Sequence, residues 1–311
     1  MPHRNKIIGL FFAVLLGAAA QQQEPPTFTS DTRLVVLHAS VMDKNGKLLT
    51  GLPKEAFKVY ENGSEQKIRE FKREDVPVSM GLIIDNSGSM RDKRRKVEAA
   101  ALALVKASNR SDEVFIVNFN DDAFLDVPFT NDLKKMEEGL TRIDSRGGTA
   151  MRDALSMSID EVKEKGKKDK KVLLVVTDGN DNTSIMTLEK LVEKAQRNEV
   201  LIYCIGLLNE EERREAAKAK RALNALASAS GGLAFYPKEL ADVERISLEV
   251  AHEIRNQFMI SYTPANAALD GSFRQIKVTV NAPGRPVVRT RTGYYATPEV
   301  AGRKKMTQSL R

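Results

Sequence analysis

Three short runs gather the oxygen-bearing side chains that could do chemistry in this sequence: Asp85-Asn86-Ser87-Gly88-Ser89, Gly147-Gly148-Thr149 and Thr177-Asp178-Gly179. They offer carboxylates and hydroxyls with no histidine or thiolate, which is the ligand set of a hard cation such as Mg²⁺ and not of zinc. The alternate spacing of Asp85, Ser87 and Ser89 lets a looped backbone wrap three side chains around one ion. Gly88, Gly147, Gly148 and Gly179 permit tight turns and close approach. A lone Asp-x-Ser-x-Ser also has a plainer use, as an Asx or Ser turn that caps the following helix. The two uses part on whether all three runs meet at one place.

The surrounding elements predict that they do. From Val78 the chain alternates strands and helical stretches, the rhythm of a mostly parallel, doubly wound α/β sheet covered on both faces. Strands are expected over 78–84, 113–119, 172–177, 200–207 and 233–236, with a short antiparallel edge strand over 123–129. Helices are expected over 93–108, 131–143, 150–165, 188–198, 210–228 and 239–255. The run Lys171 to Thr177 is apolar without alternation, which suits burial on both faces in the middle of the sheet. Each oxygen-rich run then falls where a strand ends or a helix begins, and ligands of open α/β sheets bind at the carboxyl ends of strands.

Both flanks have a β pattern. Before the α/β stretch, Leu34 to Ala39 and Phe57 to Tyr60 are strand-like, and Asn62-Gly63 is a hairpin turn signal. After it come Phe258 to Tyr262, the strictly alternating Phe273 to Val280, and Val287 to Arg291. Neither flank has enough strands to bury a core alone, so the two are expected to build one β-sandwich with the α/β unit inserted between them.

Asp85-x-Ser87-x-Ser89, Thr149 and Asp178 match, position for position, the metal-ion-dependent adhesion site of von Willebrand factor type A domains, and residues 76–257 resemble that family. The resemblance implies a Rossmann-like domain holding Mg²⁺, with Mn²⁺ or Ca²⁺ as alternatives. In the family the two serines and the threonine supply hydroxyl oxygens, the aspartates bind directly or through water, and an acidic group of the partner often completes the coordination sphere. The implied partner is therefore a protein ligand presenting a carboxylate, in adhesion or assembly. The flanks carry a narrower resemblance. Gly51 to Gly63, Tyr262-Thr263-Pro264, Phe273 to Val278 and Arg291-Thr292-Gly293-Tyr294-Tyr295 look like the exported bacterial von Willebrand factor A-related Acidobacterial domain proteins.

The remaining features bound these expectations. Arg4 and Lys6, the apolar stretch Ile7 to Leu16 and the small residues Gly17 to Ala20 form a signal peptide over 1–20; its 14 residues from Ile7 to Ala20 fall short of a bilayer span. A linker (21–30), an N-terminal β segment (31–75), the α/β domain (76–257), a C-terminal β segment (258–297) and a basic flexible tail (298–311) follow. The expected location is exported, periplasmic or secreted, with no integral span after cleavage. Cleavage leaves 47 basic and 42 acidic residues, a mild +5, and the basic run Lys163 to Lys171 has no interleaved aromatics, so nucleic acid is not an expected partner. The lone Cys204 sits in an apolar strand as a small hydrophobe. Asp153 either supports the metal site or favours a helix N-terminus; Met90 and Arg91 border the site, and His38 and His252 are structural. No enzyme is expected. The rival is a metal-dependent hydrolase or phosphoryl-transfer enzyme using Asp85, for which there is neither a Gly-x-Ser-x-Gly elbow nor a Walker loop. A third reading is an assembly subunit. The oligomeric state stays open.

Overall fold

The computed structural model describes residues 34–298 apart from 74, 108, 141–144, 180 and 210–211. The expected signal peptide and linker, and the tail beyond residue 298, lie outside the described residues. The chain opens with β1 (Val35–Met42), β2 (Phe57–Glu61), β3 (Ser64–Gln66) and β4 (Ile68–Arg73). It continues through β5 (Val78–Asp85), α1 (Arg94–Ala107), β6 (Glu113–Phe119), β7 (Ala123–Thr130), α2 (Leu133–Leu140) and α3 (Met151–Lys165). Next come β8 (Lys170–Thr177), α4 (Leu188–Arg197), β9 (Val200–Gly206), α5 (Arg213–Ser230), β10 (Ala234–Phe235) and α6 (Asp242–Arg255). It ends with β11 (Phe258–Tyr262), β12 (Phe273–Val280), β13 (Val287–Arg289) and β14 (Gly293–Tyr295).

The α/β part is a six-stranded sheet in the order β10-β9-β8-β5-β6-β7, parallel except for β7, which runs antiparallel to β6 at the edge. Every residue of the two middle strands, β5 and β8, is buried. The cause is a core on each face. Leu82 and Ile84 of β5 pack with α1, α2 and α6, whereas Ile83 packs with α3, α4 and α5. Gly81 makes the second core possible, because a Cβ there would stand 2.4 Å from the Phe115 ring and 2.7 Å from Leu173. The chain leaves β5 towards β6 on one side and returns through β8 on the other. The carboxyl end of β5 is thus a topological switch point, where a crevice opens between diverging connections.

The flanks fold together. Strand β1 lies between β11 and β13, and β2 pairs with β12, so each of two four-stranded sheets, β13-β1-β11-β4 and β14-β12-β2-β3, draws strands from both ends of the chain. Leu37, Val59, Phe258, Ile260 and Ile276 fill the core between them. The Asn62-Gly63 turn has both residues at positive φ, as a type I′ hairpin requires. One buried carboxylate, Glu61, lies in this core and accepts hydrogen bonds from the hydroxyls of Tyr262 (2.8 Å) and Tyr294 (2.9 Å).

Three strands, β3, β4 and β14, extend this pattern beyond the runs singled out in the sequence, and the strand expected over 233–236 shrinks to two residues. Among the described residues no helix is long and apolar enough to cross a membrane.

Candidate metal centre at the strand ends

The loop after β5 is shaped by its first residue. Asp85 is fully buried, and its Oδ1 accepts the backbone N–H of Ser87 at 2.8 Å, an Asx-type turn that folds the chain back on itself. Neither serine caps a helix: Ser87 heads a short 3₁₀ turn with no side-chain cap bond. Its Oγ lies 3.1 Å from Ser89 Oγ, and Ser89 Oγ donates to Asp178 Oδ1 at 2.8 Å. The turn and the capping use weighed for this motif therefore separate here, since the Asp makes the turn and the Ser hydroxyls lead to Asp178 in the third run.

Backbone contacts hold the three loops together. Gly88 N–H donates to Gly147 C=O (3.2 Å) and Arg146 N–H to Asn86 C=O (3.0 Å), joining the first and second runs. Asn182 clamps the second run to the third: its Oδ1 accepts from Thr149 N–H at 2.9 Å while its own N–H donates to Thr149 C=O at 3.1 Å. A Cβ on Gly179 would lie 3.8 Å from Thr149 Oγ1, so the threonine hydroxyl faces the loop that carries Asp178. Gly147 has φ +76, and a Cβ there would stand 2.1 Å from an oxygen of Asp121, whose other oxygen accepts Gly148 N–H at 2.8 Å. Only glycine suits that position.

The five residues singled out from sequence, Asp85, Ser87, Ser89, Thr149 and Asp178, thus lie on loops that meet over the carboxyl ends of β5 and β8. Others join them. Thr177 Oγ1 donates to Asp85 Oδ2 at 2.5 Å, and the Lys93 ammonium pairs with Asp178 Oδ2. Beneath the first loop, Asn86 Oδ1 accepts from the buried Arg94 guanidinium and from Ser145 Oγ (3.2 Å). Asp153 lies in the first turn of α3, where its charge favours the helix N-terminus, and its two oxygens also accept Ile185 N–H (2.9 Å) and Met186 N–H (2.8 Å), stapling the loop after β8 to α3. Asp181 works beside it, accepting from Arg152 N–H and Ser184 Oγ at 2.7 Å each.

Burial pushes the Asp85 carboxyl up to about 6; the Thr177 and Ser87 bonds pull against that rise, and the neighbouring Asp178 charge adds to it. A carboxylate desolvated in this way is relieved by positive charge nearby. The residues fit a hard divalent cation on those grounds, with two carboxylates and three hydroxyls converging and no soft donor among them. Among the described residues no group of three or more His, Cys, Asp or Glu is placed to hold a metal, so a site here depends on its hydroxyl oxygens. Thr177 stood inside the third run without being singled out as a ligand, and Lys93 and Asn182 carried no signal in sequence beyond proximity to the runs.

The mostly parallel sheet with helices on both faces defines a Rossmann-like α/β protein. Residues 80–180 match the family model of the von Willebrand factor type A domain. Over 108 residues the chain is 32% identical to integrin alpha-11 of Mus musculus, a stretch amounting to 33% of this chain and only 9% of that protein. Among solved structures it is similar to a von Willebrand factor type A protein of Catenulispora acidiphila, at 13% identity over 86% of this chain and 75% of that one, with TM-score 0.49. It is also similar to an aerotolerance-related membrane protein of Bacteroides fragilis, at 17% identity over 57% and 98% respectively, with TM-score 0.47.

Proposed function

We propose that this protein is an exported binding module that holds a divalent cation, Mg²⁺ in the first instance, among Asp85, Ser87, Ser89, Thr149 and Asp178, and uses it to bind a protein partner through an acidic side chain. The observation that carries this reading is the meeting, over the carboxyl ends of β5 and β8, of three loops whose hydroxyl and carboxylate oxygens include the buried Asp85. Each residue has a part in it. Asp85 and Asp178 supply negative charge, Ser87, Ser89 and Thr149 supply neutral oxygens, and Thr177 fixes the second oxygen of Asp85. The bound cation would supply a Lewis-acidic position for an anionic oxygen of the partner. Full burial of Asp85, with both its oxygens already engaged by protein donors, argues against its use as a nucleophile. Export rests on the signal-like residues 1–20, and the flanking resemblance to exported Acidobacterial domain proteins fits the same reading. The division of the mature chain at 76 and 257 belongs to this proposal as well.

Calorimetric titration of Mg²⁺ and Mn²⁺ into the purified, chelator-stripped protein tests it, beside the double variant Asp85→Ala, Ser87→Ala. Saturable binding that disappears in the variant is expected. A folded wild-type protein that binds neither ion would overturn the reading.

A further inference from the structure

Lys93 stands out at the rim of the site. Its backbone is fixed at the head of α1, where Lys93 N–H donates to Met90 C=O (3.0 Å) and Lys93 C=O accepts from Val97 N–H (3.2 Å). Lys93 is four residues beyond Ser89, and its ammonium reaches back across the loop to one oxygen of Asp178, while the Ser89 hydroxyl holds the other oxygen of the same carboxylate. The pair is lopsided in exposure: the Asp178 side chain is 1% exposed and that of Lys93 is 30% exposed. An exposed ion pair is worth little, but a charge buried on one side needs its partner. Asp178 is thus satisfied from within the protein, by a flexible side chain with a path back to solvent.

Resting on the reading of this site as a divalent-metal site, we infer that Lys93 is its resident cation: it neutralises Asp178 when no metal is bound, competes with the metal for that carboxylate, and leaves the loaded site in need of one more anion. Charge gives the argument its force. Asp85 and Asp178 bring two negative charges, the metal two positive and Lys93 one more, so the filled site carries a net positive charge that one carboxylate of a partner cancels. Without Lys93 the filled site would be neutral and the pull on an acidic partner weaker. The lysine therefore trades metal affinity for partner affinity. Two like charges a few ångströms apart in a partly desolvated site repel strongly enough for the effect to be measurable.

The test is calorimetric titration of Mg²⁺ and Mn²⁺ into the full, chelator-stripped protein and three variants, with melting curves in chelator. Lys93→Met and Lys93→Gln are expected to bind Mg²⁺ about ten-fold more tightly than wild type, and Lys93→Arg to match wild type. In chelator the Met variant should melt below wild type, and Mg²⁺ should raise its melting temperature by more. The Gln variant keeps a donor for Asp178 without the charge, and decides the matter should the Met variant fail to fold. Wild-type binding with neutral variants that bind equally or more weakly overturns the role of Lys93 while leaving the metal site standing. Absence of binding in wild type and in every variant overturns both.

Discussion

At the scale of single residues, the site depends on groups whose partners are far away in sequence. Thr177 shows this most plainly: as the last residue of a buried apolar strand it reads as a strand end, yet its hydroxyl lies 2.5 Å from Asp85, 92 residues earlier. Replacing Thr177 by valine keeps the shape and β-branching and removes that donor. The expected loss is about 1–3 kcal/mol of stability in chelator, because a buried carboxylate is left short of a partner. Denaturant unfolding with and without Mg²⁺ checks it: the deficit should narrow when Mg²⁺ is present, and an unchanged midpoint in chelator would show that the bond contributes nothing. Lys93 was equally unreadable, being one of five basic residues between Arg91 and Lys96, since nothing local marks the one that turns towards Asp178. The meeting of the three oxygen-rich runs was legible because each falls where a strand ends or a helix begins.

At the scale of elements, strand β8 carries an anomaly at its other end. Lys170, its first residue, is buried and donates its ammonium to Ile254 C=O in the last turn of α6. Burial pushes this ammonium down to about 7, against the opposing pull of Glu253, Asp112 and Asp75. The folded value lies below the unfolded one, so between roughly pH 7 and 10.5 the unfolded chain binds a proton that the folded chain does not, and stability rises with pH across that window. Below it the lysine is charged in both states and the whole penalty is present. Lys170→Met should flatten the climb: the difference in unfolding free energy between the two proteins should shift in favour of wild type from pH 7 to pH 10, and parallel curves would contradict the burial. The legibility of the elements followed the same logic of local against distant cause. The alternating run Phe273–Val280 was readable to the residue, because one face of β12 meets the core and the other meets water. Strand β4, Ile68–Arg73, is charged and largely exposed, and only its pairing with β11, far along the chain, makes it a strand. Short polar edge strands carry little hydrophobic pattern to read.

At the scale of the whole molecule, the sandwich and the α/β part are joined by a buried polar knot. Glu253 of α6 is 4% exposed, and its Oε1 accepts from Ser40 Oγ of β1 (2.9 Å), Tyr203 OH of β9 (3.0 Å) and the Arg289 guanidinium of β13. Gln257 completes the knot, donating to Ser40 Oγ at 3.1 Å and to Tyr203 OH at 3.2 Å. One carboxylate thus ties the outer face of the β13-β1-β11-β4 sheet to the α/β sheet and its last helix. The sandwich itself cannot form until the chain has returned, because β1 needs β11 and β13, and β2 needs β12. These two facts predict one cooperative unfolding transition, with calorimetric and van't Hoff enthalpies equal. Glu253→Ala would leave the largely buried Arg289 charge without its partner, at an expected cost of about 3–5 kcal/mol. If the knot is what couples the two parts, that variant should also split or broaden the transition in differential scanning calorimetry, with Mg²⁺ raising the component that contains the α/β sheet. A variant that melts lower but still in one sharp step would place the coupling in the shared chain topology and not in the knot.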